Sequence, residues 1–101
     1  MKVINNFTGK NFLFTGEMHL IDKKQKHMYW LLCEMANATH KTSISKKLDF
    51  VVTGAKPSPA KLIEVEKLNI EGCNIRVIDE ETFIKQFFEL EELPPYISFY
   101  Y

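Results

Sequence analysis

Two short runs of consecutive apolar residues, Phe12-Leu13-Phe14 in NFLFTGEM and Phe50-Val51-Val52 in DFVVTGAK, restrict the architectures open to this chain more than any other feature. A strand with one face in water alternates apolar and polar side chains. An unbroken apolar run suits a strand covered on both faces, as in a parallel sheet flanked by helices. Both runs end in the same pair, Thr15-Gly16 and Thr53-Gly54. Glycine permits the positive φ of a sharp corner and threonine caps a turn, so each pair reads first as turn chemistry. Whether either corner also holds a ligand is the functional question that the sequence raises.

Helical patterns lie between and after these runs. Asp22 with Gln25 three residues on forms a capping-box arrangement, and Met28, Leu31, Leu32 and Met35 follow on one stripe. Trp30 and Tyr29 are adjacent, so one of the two must face away from the core. Residues 39 to 49 are polar and turn-like around a short strand. Ser58 followed by Pro59 gives an N-cap with proline at the first helical position, and Leu62, Val65 and Leu68 extend that helix to Gly72. NIRVI (74–78) is a further strand. Asp79 then caps a third helix, with Glu80 and Glu81 at its positive end, an apolar face of Phe83, Ile84, Phe87, Phe88 and Leu90, and a stop expected at Pro94-Pro95. Strand and helix alternate throughout, which predicts an α/β layer fold with a mainly parallel sheet.

A chain of 101 residues is sized for one domain, expected here over 1–101 with its core at about 7–90 and an aromatic tail at 93–101. Lys plus Arg and Asp plus Glu number 13 each, so net charge supplies no general attraction for nucleic acid or membrane, and anion binding must be local. Most lysines precede residue 62, whereas residues 79 to 92 are strongly acidic. Cys33 and Cys73 lack CxxC spacing, and His19, His27 and His40 lack metal-ligand spacing, so no metal or cofactor is expected. The segment TGKNFLFTG does not have the residue order of a P-loop, and no catalytic constellation is evident. A non-enzymatic, intracellular protein without a membrane span is expected.

The order FTG, helix, SISKKLDFVVTG, SPAKL, IRVIDEETFIKQF resembles the BRCT domain over roughly residues 7 to 90. The similarity is greatest to the type found in bacterial NAD-dependent DNA ligases and in the large subunit of replication factor C. The signature VSKKTDYLVxG of those domains is mirrored by ISKKLDFVVTG at 44–54, and IISEEEF by VIDEETF at 77–83. The resemblance implies a four-stranded parallel sheet in order 2-1-3-4, with the first and third helices on one face and the second on the other. It also implies that phosphate would be met by Thr15, Gly16 and Lys61, with Lys23 at the place of an arginine in the replication factor C type. The sequence departs from the family at Ala36-Asn37, where a Gly-Gly pair is usual, although Asn tolerates the left-handed conformation of a helix end. Phe83 stands where eukaryotic members carry Trp.

A 5′-phosphorylated DNA end, held in a replication or repair setting, is the ligand this resemblance suggests. Lys41, Lys46 and Lys47 are candidate contacts to the neighbouring DNA backbone. Thr53-Gly54 is read as a structural corner. The competing reading is a protein-interaction module that docks on a phosphorylated or DNA-repair protein, or forms a homodimer, through Trp30 and the aromatic tail Pro94-Pro95-Tyr96-Ile97-Ser98-Phe99-Tyr100-Tyr101.

Overall fold

The computed structural model describes residues 6–20 and 28–92. Its elements are β1 (Asn11–Thr15), α1 (Met28–Met35), β2 (Thr39–Lys41), β3 (Phe50–Thr53), α2 (Pro59–Ile70), β4 (Arg76–Asp79) and α3 (Glu80–Phe88). The four strands form one parallel sheet in the order β2-β1-β3-β4. The two continuous apolar runs are its two central strands, where both faces are covered, as the absence of alternation predicts.

One face packs α1 and α3 against Phe12, Phe50 and Val52, with Phe7 added from the segment ahead of β1. The register places Phe12 beside Phe50, and the two rings stack at 4.9 Å. Phe83 of α3, fully buried, meets Phe7, Phe12, Phe14 and Tyr29 at 5.2 to 5.6 Å between ring centroids. The other face packs α2, through Val65, Leu62 and Leu68, on Leu13 and Val51. Ile44 and Leu48 join this second cluster because the β2–β3 connection crosses β1 on the α2 side.

The caps form as the residue types require. Ser58 Oγ accepts the Lys61 N–H at 3.4 Å with Pro59 at the first helical position, and Asp79 Oδ1 accepts the Thr82 N–H at 2.7 Å. Asn37 takes φ 59° after α1, while the Ala38 N–H reaches back to the Cys33 carbonyl at 2.8 Å. A left-handed residue is therefore accommodated without the family's glycine.

Two expectations need correction. The buried face of α1 consists of Met28, Tyr29, Leu32 and Cys33, so Leu31 lies outside the predicted stripe and is exposed together with Trp30. The helix is rotated because Tyr29 is drawn inward by a buried carboxylate, described below. The third helix ends at Phe88 with Glu89 in the left-handed region (φ 55°) and the Leu90 N–H bonded to the Lys85 carbonyl, so its stop comes before the prolines and leaves Phe88 and Leu90 exposed. The Asp22/Gln25 capping box, Lys23 and the tail 93–101 lie outside the described residues.

Candidate functional site

The chain leaves β1 toward α1 and β2 on one side, and leaves β3 toward α2 and β4 on the other. The carboxyl ends of β1 and β3 thus flank the topological switch point, where open α/β sheets form a crevice. Both Thr-Gly corners sit there, stitched to each other. The Gly54 N–H donates to the Thr15 carbonyl (2.9 Å), the Glu17 N–H to the Ala55 carbonyl (2.8 Å) and the Ala55 N–H to the Glu17 carbonyl (2.7 Å). A Cβ on Gly54 would lie 2.1 Å from the Glu17 carbonyl oxygen, and one on Gly16, at φ +90°, would lie 2.6 Å from that of Ala55. The glycine of each corner is therefore required by close backbone approach.

The two corners differ in their hydroxyls. Thr53 Oγ1 turns toward the Ile78 carbonyl of β4 at 3.4 Å, a structural contact. Thr15, only 5% exposed, turns toward α2, and its Oγ1 accepts the Ser58 N–H at 3.0 Å. That bond ties the end of β1 to the N-cap of α2, and the hydroxyl's own proton remains as a donor. β2 stops opposite Leu13, so beyond it the Thr15-Gly16 end of β1 has no strand on its β2 side among the described residues. The corner abuts the first turn of α2.

Lys61 lies in that first turn, four residues before the buried Val65, and so on the sheet-facing side of α2. Its N–H bonds Ser58 Oγ at 3.4 Å, so the Lys61 backbone lies beside the residue that holds Thr15. The first turn of α2 holds no acidic residue, whereas that of α3 holds Glu80 and Glu81. A cation at a helix's positive end costs a few tenths of a kcal/mol up to about 1 kcal/mol, and a bound anion reverses the sign.

The other candidates separate. Lys41 closes β2 in register with Leu13, about 7 Å short of Thr15 along the strands and about 5 Å across. Lys46 and Lys47 lie at the opposite end of the sheet, where Asn11 Nδ2 donates to the Lys47 carbonyl at 2.8 Å. The β2–β3 connection carries them there, so proximity in sequence to Lys41 does not bring them to Thr15. Lys56, in the loop between β3 and α2, is exposed at φ 51° and lies on the Thr15 side. Of the opposite sign is Glu17, directly after Gly16, whose carboxylate is 3.7 Å from His19 Nε2.

Sequence reasoning missed Glu80. It is 7% exposed, and its carboxylate accepts the His19 N–H (2.8 Å), the Leu20 N–H (2.9 Å) and the Tyr29 hydroxyl. One side chain of α3 thereby fixes the segment that follows Gly16 and anchors α1. Burial, followed by the hydrogen bond and charge of Glu80, pushes the Tyr29 hydroxyl's pKa upward, so it acts as a permanent donor. Its neighbour Glu81 is solvated and pairs with Lys85 at 3.5 Å. Among the described residues, no group of three or more His, Cys, Asp or Glu side chains converges as a metal site, and no helix is long and apolar enough to cross a membrane.

No family model matches the chain. By sequence it is 38% identical over 80 residues to a DNA ligase of Lawsonia intracellularis, covering 79% of this chain and 10% of the ligase. It is 32% identical over 84 residues to DNA ligase 1 of Nocardia farcinica (80% and 12%), and 28% identical over 95 residues to a DNA ligase of Aquifex aeolicus (91% and 12%). The chain thus spans about a tenth of the length of the curated relatives it matches. By structure it superposes on the C-terminal BRCT domain of human XRCC1 with a TM-score of 0.61 at 16% identity, covering 92% of this chain and 90% of that one. The second XRCC1 BRCT domain, in a crystal structure, gives 0.60 at 16% identity, covering 92% and 87%. With the sheet order, the two-and-one placement of helices and the segmental match to the ligases in agreement, the chain is a BRCT domain, homologous to a segment of bacterial DNA ligases.

Proposed function

We propose that this BRCT domain is a non-catalytic phosphate-binding module whose ligand is a 5′-phosphorylated DNA end, in a replication or repair setting. The observation that carries the reading is the Thr15–Ser58 bond, which joins a hydroxyl donor to a helix N-terminus at the switch point, with the Lys61 N–H bonded to the same Ser58. A terminal phosphate there would receive the Thr15 proton and the Gly16 N–H, and Lys61 would neutralise part of its charge. Lys41 would meet a neighbouring phosphate, and Lys23 is proposed from the resemblance alone. That the relatives by sequence are DNA ligases supports DNA as the source of the phosphate.

Binding of this kind is driven by phosphate charge, falls with salt and is nearly indifferent to sequence. Lys61→Ala tests it. The expected result is weaker duplex binding with a salt slope reduced by about one, and a thermal midpoint unchanged or slightly raised because a cation has left the positive end of α2. An unchanged slope removes Lys61 from the site.

Exposed Phe88 and Leu90 at the end of α3 favour a second reading, a protein-interaction module that docks on a repair protein or self-associates through the 93–101 tail. Sedimentation at rising concentration distinguishes self-association from a stable monomer.

A further inference from the structure

β4 closes one side of the sheet, and among the described residues no strand lies against its outer edge. The Arg76 N–H donates to the Asp49 carbonyl at 3.0 Å while Arg76 stands in register with Phe50. In such a parallel ladder Arg76 and Ile78 bond to β3, and the N–H and carbonyl of Val77 point away from the sheet. The Thr53 hydroxyl, which donates to the Ile78 carbonyl at 3.4 Å, agrees with that alternation. The Val77 side chain, in register with Val51 on the α2 face, is 49% exposed. The opposite edge is protected by its own chemistry, since β2 has only three residues and ends in exposed Lys41. α3 lies on the face opposite α2, so a parallel strand joined to its end and added beside β4 would need a left-handed crossover, which α/β sheets almost never use. The edge is suited to an antiparallel strand instead.

From this edge we infer that a second copy of the chain pairs with β4 antiparallel, about a two-fold axis at Val77, joining two four-stranded sheets into one. With Val77 opposite Val77 of the second copy, each donates its N–H to the other's carbonyl, the exchange of a hydrogen-bonded antiparallel pair, and the two exposed valines meet on the α2 face. Arg76, in register with Phe50, and Ile78, in register with Val52, both belong to the face that carries α3, and this pairing sets Arg76 of one copy opposite Ile78 of the other. Directly beyond Ile78 and Asp79 starts α3, whose first turn holds Glu80 and the exposed Glu81. The exposed Arg76 of each copy is thereby brought to the acidic helix start of the other on the same face, and the two-fold axis repeats the contact. The Thr15 corners come to lie at opposite ends of the joined sheet, five strand spacings or about 24 Å apart across the strands, so the pairing blocks neither. The inference goes beyond the phosphate reading and does not depend on it.

Sedimentation equilibrium of the full chain at rising concentration tests the pairing, with circular dichroism of each variant as a check on the fold. A contact this small makes a transient dimer, so the expected result for wild type is a monomer–dimer equilibrium. Val77→Pro removes only the outward N–H, a change that an edge strand tolerates, and should weaken dimerisation about ten-fold or more. Arg76→Glu should also weaken it, and the exchange Arg76→Glu/Glu81→Arg should restore it. Removal of residues 93–101 should leave it unchanged. A monomer at every concentration overturns the inference. Association that survives Val77→Pro but is lost with the tail overturns it as well, and so does a charge exchange that fails to restore what Arg76→Glu removes.

Discussion

Glu80 offers the sharpest test of how the site is held. Its carboxylate accepts two backbone N–H groups from the segment after Gly16 and the hydroxyl of Tyr29, which is 3% exposed. Hydrogen bonds to a charged group contribute about 1.5–3 kcal/mol each, and a stranded buried donor costs about 1–3 kcal/mol. In Glu80→Ala the two N–H groups regain water as the loop opens, but the Tyr29 hydroxyl cannot, so the losses do not sum. A net loss of about 3 kcal/mol is the working figure, a large share of the ~5–15 kcal/mol that stabilises a domain. For a chain of this size it lowers the thermal midpoint by roughly 12–24 °C. Glu81→Ala is the internal control: that side chain is exposed and its i,i+4 pair with Lys85 contributes about 0.3–0.5 kcal/mol. Chemical denaturation of both variants, with Tyr29→Phe and the Glu80→Ala/Tyr29→Phe pair, measures the difference and the coupling. Equal losses for Glu80→Ala and Glu81→Ala would falsify the assignment of Glu80 as the clasp.

Three further outcomes follow from the same geometry. Gly54→Ala puts a Cβ 2.1 Å from the Glu17 carbonyl and should destabilise by about 3 kcal/mol; melting curves decide, and a silent Gly54→Ala removes the stitched corners from the account. The Thr82 hydrogen bonds lower the Asp79 pKa, so the cap's ionic contribution is present above the ordinary aspartate range and is lost as pH falls below about 4. Asp79→Asn should match wild type near neutrality within about 1 kcal/mol and show a shallower acid limb, and coincident acid limbs contradict this. Burial pushes the Cys33 thiol up to about 12 while Cys73 is half-buried, so a thiol reagent should titrate one cysteine in the native protein and the second only on unfolding.

What could be seen in the sequence was mostly local. Ser58-Pro59 and Asp79 announce helix starts because capping involves residues three apart, and the runs at 12–14 and 50–52 announce central strands because burial on both faces removes alternation. The inward turn of Tyr29 could not be seen, since its cause, Glu80, lies 51 residues away and is chemically identical to Glu81. Lys41, Lys46 and Lys47 look like one basic group in sequence but are divided by a connection that crosses the sheet from end to end. The resemblance singled out Thr15, Gly16 and Lys61. The reason they form a corner, the Thr15 bond to Ser58 across 43 residues, belongs to the fold.

The central claim is that the Thr15 corner receives a terminal phosphate. Fluorescence anisotropy of two labelled duplexes, identical except for a recessed 5′-phosphate or 5′-hydroxyl, tests it most directly when run at low and moderate salt with wild type and Thr15→Val. The account predicts tighter binding of the phosphorylated end by wild type, a preference that shrinks with salt and vanishes in Thr15→Val. Equal affinity for the two ends at low salt contradicts it and returns the corner to turn chemistry.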